Sequence, residues 1–537
     1  MRVYRAACPQ CGAPVEFASA ASASAVCGFC RSTLLRDGET LRRIGVSAEL
    51  FDDHSPLQLG AAGRYQGVPF TLVGRLQYGY ADGSWNEWHA LFQSDADTAQ
   101  QGEQKSGWLS EDNGAYVLAF DAPPLGDAPA ADELHPGERR LLAGSAWSVA
   151  SVQRSHLIAA EGELPRPPRL DGEFAVADLR NEAGEVATLD YAEPAAPLWS
   201  VGRAVALSEL AMTGLKEGSE KTLSARSLEC PNCGAPLKPT LQSTRSIVCD
   251  QCKAVVDIAA GAGAELAHYT QNNQGPNGTG PQIPLGRSGK LALGGEGPLD
   301  WQVVGYQERI DIPEAGDEDE ASAWSEYLLY HRTAGFAFLV DAEDGWSWVR
   351  PLTGAPLLSG SGATWQDMVY RQRYSYAARV TWVQGEFYWQ VRRDEQAQVT
   401  DFDGPGGRKL SREQTGSEVV WSAGQAMDAG TVARAFKLTG VEAAAMQRDV
   451  APVSRGIGGL SQGVIVLVVV VLVMLAMSRC GSGGDDCDKV KASFGASSNE
   501  YQQCRRNASS GGLVGGVGGG VGGGSFGGYS SGGGGHK

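Results

Sequence analysis

The sequence predicts a mainly β protein built as a tandem duplication, in which a small metal-closed ribbon precedes a β-rich, barrel- or sandwich-like domain twice over. Three observations carry that expectation. A four-cysteine pattern recurs 222 residues on, the segments behind it recur with it, and those segments alternate apolar and polar residues in short runs. A separate apolar stretch near the end adds one C-terminal transmembrane α-helix.

The cysteine pattern comes first. "CPQCGAPVEFASAASASAVCGFC" starts at Cys8, and "CPNCGAPLKPTLQSTRSIVCDQC" starts at Cys230. Both read C-x2-C-x15-C-x2-C: Cys8, Cys11, Cys27 and Cys30, then Cys230, Cys233, Cys249 and Cys252. Two residues between cysteines let a tight turn aim both sulfurs at one ion. Two such turns complete a tetrahedral sulfur set suited to Zn²⁺. The glycine after each second cysteine permits the positive φ of such a turn. Four thiolates leave no open coordination position, so two structural zinc ions are expected rather than catalytic centres. Ribbons this small, at residues 1–40 and 226–260, depend on the metal to fold. Each is expected to offer a surface to a protein partner or to cap the domain that follows it.

The body behind each ribbon is also duplicated. Leu59-Gly60 matches Leu285-Gly286, Val73-Gly74 matches Val304-Gly305, and Trp85-Asn86-Glu87-Trp88 matches Trp324-Ser325-Glu326-Tyr327. Further on, Gly162-Glu163 matches Gly385-Glu386, and "WSVGRA" at Trp199 matches "WSAGQA" at Trp421. Runs such as "PFTLVGRLQY", "FAFLV" and "EFYWQVRR", broken by turn residues, are those of antiparallel β domains. They place β-rich domains at 45–215 and 283–445, the second following a linker at 261–282. Trp199 and Trp421 are expected as core anchors, and the acidic insertion Pro313–Ala321 as a solvated loop.

At these residues the chain resembles DUF4178, an uncharacterised bacterial family. The resemblance is carried by "LG…G…VGR…WNEW…GWLSEDNGAYVLAF" in the first copy. In the second it is carried by "VGY…WSEY…AGFAFLVDAEDGW" and "VQGEFYWQVRRDEQAQVTDF". It covers residues 55–205 and 283–430, more closely in the second copy, because "AEGELPRPPRLDGEFAVADL" stands in the first where the second has Phe387, Tyr388 and Trp389. The resemblance implies a bacterial setting and points toward envelope stress; it assigns no activity.

From Gly456 to Ser478 no charge occurs, and Arg455 and Arg479 flank the stretch. As a helix it spans ~34 Å, against a bilayer core of ~30 Å. A lone strand in lipid would leave its backbone unsatisfied, so a transmembrane helix at 456–478 is expected despite the valines. The N-terminus has no apolar signal region, which predicts a cytosolic body, a C-terminal tail outside, and a single pass through the bacterial inner membrane. Beyond it, residues 479–507 read as a short helical hairpin in which Cys487 and Cys504 are candidates for a disulfide, with Cys480 left over. The Gly-rich tail, 508–537, has no capacity for a core.

Chemistry is sparse. A formal charge of −17 argues against nucleic acid as a partner. None of the seven histidines aligns between copies, which excludes a shared histidine base. What aligns is acidic: Glu87 with Glu326, and Glu163 with Glu386. These are candidate ligand-binding residues, able to act as acid and base if a pair faced one cleft. The simpler expectation puts each in solvent or opposite an arginine on the ladder. The chain is therefore expected to be a non-enzymatic, membrane-anchored adaptor or sensor that binds the bilayer and a protein partner. A membrane-tethered enzyme using the paired glutamates and a purely structural envelope protein are the alternatives.

Overall fold

The computed structural model describes residues 4–447, apart from 18, 20–21, 38–39, 48–54, 82–83, 94–104, 113–114, 170, 217–227, 242–243, 259–265, 272–279, 295–296, 313–320, 333 and 393. The expected membrane segment 456–478, Cys480, the Cys487/Cys504 hairpin and the Gly-rich tail lie outside the described residues, as does most of the acidic insertion. Among the described residues no helix is long and apolar enough to cross a membrane. Both ribbons and both β domains fall in one compact unit.

Each β domain is a closed antiparallel barrel of eight strands. In the first copy these are β1 (Val68–Tyr80), β2 (Ser84–Phe92), β3 (Ser106–Asp112), β4 (Ala115–Asp121), β5 (Ser145–Leu164), β6 (Phe174–Arg180), β7 (Glu185–Asp190) and β8 (Leu198–Val205). The second repeats them as β9 (Leu299–Ile312), β10 (Ala323–His331), β11 (Gly335–Ala342), β12 (Gly345–Pro351), β13 (Met368–Phe387), β14 (Gln396–Asp403), β15 (Arg408–Gln414) and β16 (Val419–Met427). Two four-stranded meanders, β1–β4 and β5–β8, join edge to edge through β4 with β8 and through β5 with β1. The second barrel closes the same way, so neither leaves a free sheet edge among these strands.

The closing seam explains the repeated glycines. Gly162 pairs with Gly74 across β5 and β1, and Gly385 pairs with Gly305 across β13 and β9. Gly162 and Gly385 have φ of +70° and +86°, and a Cβ on them would lie 2.2 Å from Val73 O and 2.3 Å from Val304 O. A side chain would therefore be strained and would collide with backbone. The backbones approach closely because both partners lack a Cβ.

Beyond that glycine the long strand leaves the barrel wall and takes up its ribbon. Gly162–Leu164 pairs antiparallel with Ser24–Val26, and Glu386 and Phe387 pair with Ile247 and Ser246. Each ribbon thus extends the sheet of the domain behind it. The first, expected to end at residue 40, continues through the strand Thr40–Val46, which pairs with Ser32–Asp37. In the second, His268–Tyr269, within the expected linker, pairs with Val255 and Val256.

A large core cluster in the second copy joins Phe338, Val340 and Val399 of the barrel to Val248 and Val255 of the ribbon. A second cluster covers the β9–β12 wall with the helix α1 (Ala429–Ala435), capped by Asp428 and seating Val432. Trp199 and Trp421 are both buried, Trp199 edge-on to Trp147 and Trp421 stacked on Phe402.

Gly385→Ala is expected to lower stability by about 2–4 kcal/mol through left-handed strain and the Val304 carbonyl clash. A substitution at the open Gly360 turn provides the control, since nothing lies within 4 Å of a Cβ there. Denaturant midpoints measure both.

Candidate metal centres and the clasp between ribbon and barrel

The two cysteine sets converge as their spacing predicts. Within each set all four sulfurs lie within 4.8 Å of one another. Cys8 and Cys30 are 3.6 Å apart and Cys11 and Cys27 3.7 Å; the second ribbon repeats both values with Cys230–Cys252 and Cys233–Cys249. A disulfide would bring sulfurs to ~2.0 Å, whereas a tetrahedron with metal–sulfur bonds of ~2.3 Å separates them by ~3.8 Å. The sets therefore fit a four-coordinate metal ion.

The knuckles prepare the sulfurs for it. Each closes with the amide of the first cysteine donating to the carbonyl of Ala13 or Ala235, and Gly12 and Gly234 take φ of +75° and +73°. Hydrogen bonds from Ser32 bring Cys30 down to about 6. At Cys252 burial raises the thiol, but the Asn232 side chain and the Ala254 amide outweigh it and hold it at about 6. In each set another thiol, Cys11 or Cys230, is pushed up to about 12, so the four crowded sulfurs share their protons unequally and a metal displaces protons as it binds.

The aligned glutamates go to two different places. Glu386 follows the seam glycine and points at the loop between the knuckles of its ribbon. It accepts from the Thr240 amide at 2.8 and 2.9 Å, the Leu241 amide at 2.9 Å, the Thr240 hydroxyl at 2.7 Å and the Thr244 hydroxyl at 2.5 Å. Charge-assisted bonds of this kind are about twice as strong as neutral ones. Glu163 stands in the same position in the first copy, where the Ser19 amide donates to it at 3.3 Å. A second tie lies three residues earlier on the same strand. The Ser47 hydroxyl holds both backbone groups of Ala160, and the Gln271 amide holds both of Val383.

Glu326 belongs to the barrel interior. It accepts from the Trp324 indole at 2.8 Å, the Gln307 amide at 2.6 Å and Arg309 at 3.2 Å. Arg309 also donates to Glu413 on β15 at 2.9 Å. Because β15 borders neither β9 nor β10, this contact crosses the barrel, and Arg309 is 1% exposed. Glu87, at the matching position, accepts from the Trp85 indole at 3.3 Å. The register sets Tyr78 where Arg309 stands and Asp190 where Glu413 stands, so the first barrel has no such guanidinium. Burial and those two carboxylates hold Tyr78 well above its usual range. Glu326 and Glu386 thus sit in separate networks, one inside the barrel and one under the ribbon. Sequence reasoning passed over Arg309, Glu413 and Thr240. The pattern "YQERID" against "WSEY" carried the first of these signals, a charge at the alternating position opposite a tryptophan.

These features define a class: a tandem ribbon–barrel protein with two four-cysteine clusters able to bind metal ions. The family described as Domain of unknown function (DUF4178) matches residues 58–207 and 297–429, more than half of the chain, and the chain belongs to that family. No curated protein and no solved structure matches it.

Elemental analysis of the purified chain is expected to find two four-coordinate divalent ions, and Cys233→Ser to leave one. A second expectation concerns the buried triad. One guanidinium cannot neutralise two carboxylates: burial pushes Glu413 up, Arg309 pulls it down and Glu326 raises it again, to about 7. An acid raised in the folded state binds its proton more tightly there. Its stabilisation is complete below the ordinary value of 4.5 and is lost as pH rises through about 7. The stability of the chain relative to Glu413→Gln should therefore fall by on the order of 3 kcal/mol between pH ~4.5 and ~7.5. Denaturation at several pH values checks this, and a flat difference contradicts it.

Proposed function

We propose that the chain is a non-enzymatic adaptor or sensor whose two zinc-closed ribbon–barrel units face the cytosol at the bacterial inner membrane. The helix at 456–478 anchors it with the tail outside, and the setting is envelope stress. The zinc assignment rests on sulfur spacing and on the absence of an open coordination position in a four-thiolate site. The membrane assignment rests on the uncharged stretch Gly456–Ser478.

One observation carries the adaptor reading. The glutamate clasp holds each ribbon by its connecting loop, and the knuckle ends remain outward. Cys11 and Cys233 are exposed, and Phe29, between the second pair of cysteines, is 78% exposed. An exposed aromatic on a rigid metal knuckle suits protein recognition, where aromatic anchors dominate the binding energy. The second ribbon carries Gln251 there, also exposed, so the two units present different faces. Two such faces on one anchor gain avidity from their linkage. The enzyme alternative is weakened because Glu326 and Glu386 serve separate internal networks.

Crosslinking and co-purification from native membranes test this with the intact chain, a 1–455 truncation and Phe29→Ser. A defined protein partner retained by the truncation and lost with Phe29→Ser is expected. Recovery of the same proteins with Phe29→Ser would remove the ribbon from the reading.

A further inference from the structure

One ionisable side chain is built into the first seam and has no counterpart in the second. His89 of β2 lies opposite Gly74 in the ladder, and Leu328 holds the matching place opposite Gly305. Both side chains are enclosed. The imidazole reaches the peptide that joins barrel to ribbon. Its Nδ1 lies 2.9 Å from the Glu163 carbonyl oxygen, and its Nε2 lies 2.9 Å from the Ser106 hydroxyl. The same Glu163 pairs with Ala25 of the ribbon and holds the Ser19 amide through its carboxylate.

These partners fix the tautomer. A carbonyl oxygen only accepts, so Nδ1 carries the hydrogen and Nε2 accepts from Ser106. The neutral ring is thus paired at both nitrogens. A second proton enters at Nε2, turns the Ser106 hydroxyl away and places a full charge in an enclosed site.

The groups around the ring do little to answer that charge. On β1 and β3 it meets Gly74 and the Trp108 ring, whose centroid lies 5.5 Å away. The ribbon strand Ser24–Val26 brings no ionisable group. Glu87, on the same face of β2, accepts from the Trp85 indole, and the Glu163 carboxylate is turned to Ser19. Asp121 is half-exposed and paired with Arg166 at 3.0 Å, while Lys105, next to Ser106, adds a positive charge over the Phe120 ring. Burial outweighs the Glu163 carbonyl and Asp121, both of which favour the charged ring, and holds His89 below its ordinary value of 6.5.

We propose that His89 makes the first clasp acid-sensitive, so that protonation drives the imidazole out of the seam and loosens the first ribbon alone. Gly162–Leu164 then separates from Ser24–Val26, its partner in the ribbon. In the open seam the ring meets water and titrates at its ordinary value. The closed seam is therefore fully stable above 6.5 and loses stability as pH falls through 6.5 toward the lower value of the enclosed ring. The triad in the second barrel acts in the opposite sense, because Glu413 stabilises that barrel as pH falls below about 7. Acid thus separates the behaviour of two ribbons that are alike at neutral pH. The device rests on the seam geometry and needs neither the bilayer nor a ribbon partner; within the sensor reading it supplies a stimulus, the proton.

Amide hydrogen exchange on the full, metal-loaded chain tests it at pH ~7.5 and ~5.5, with each rate referred to its intrinsic value at that pH. Protection at Gly162–Leu164 and Ser24–Val26 should fall several-fold at the lower pH. The fall is bounded at about tenfold, since that pH lies one unit below the ordinary histidine value. Protection at Gly385–Phe387 and Ser246–Val248 should not fall. His89→Leu, which installs the residue of the second copy, should make the first seam indifferent to this change of pH. If that variant does not fold, His89→Gln keeps a neutral donor to Glu163 and should give the same flat response. An unchanged first seam, or a loss that persists in the folded His89 variant, overturns the proposal. Equal loss at both ribbons also overturns it and marks release of metal instead, because both carry the same four thiols.

Discussion

The structure depends on one close approach. Where Gly74 meets Gly162 and Gly305 meets Gly385, two backbones pass without a Cβ between them, and each barrel closes. The positive φ at Gly162 and Gly385 turns the strand out of the wall. The next residue, Glu163 or Glu386, then meets its ribbon instead of the barrel interior. Barrel closure and ribbon attachment are therefore consecutive acts of one dipeptide. A ribbon with little core of its own gains a sheet neighbour, a carboxylate clasp and a share of the apolar cluster around Val248 and Phe387.

The copies keep this frame and differ in what they fill it with. Arg309 crosses the second barrel to Glu413, whereas Tyr78 and Asp190 occupy those positions in the first. The second clasp accepts five hydrogen bonds, two of them from Thr240 and Thr244 hydroxyls; at the positions of those threonines, counted from each first cysteine, the first copy has Ala18 and Ser22. Breaking a buried pair such as Arg309–Glu413 leaves an uncompensated charge, so the triad fixes which side chains the second interior accepts. It need not add net stability over an apolar filling.

Much of this was legible in the sequence, in proportion to how local the signal is. Cysteine spacing is a turn property, so both clusters could be read directly. Alternation within strands is also local and gave the β class. The repeated dipeptides Val73-Gly74 and Gly162-Glu163 stood out, but their mutual pairing joins strands far apart in the chain, and no short-range pattern reveals it. The same limit hid the partners of the glutamates. Glu386 bonds to Thr240, 146 residues away, and Arg309 bonds to Glu413, 104 away. Alignment showed that these carboxylates repeat without showing what they face. The ribbon boundary at residue 40 fell short because Thr40–Val46 pairs backward onto Ser32–Asp37, beyond the span that the cysteine spacing marks.

The central claim is that metal, ribbon and barrel seam form one cooperative unit. Amide hydrogen exchange on the full chain, metal-loaded and after chelation, tests it most directly. Protection should fall in the cysteine knuckles and also along Gly162–Leu164, at Gly385–Phe387 and at the facing residues of β1 and β9. Loss of protection confined to the knuckles, with the seam unchanged, would contradict the account.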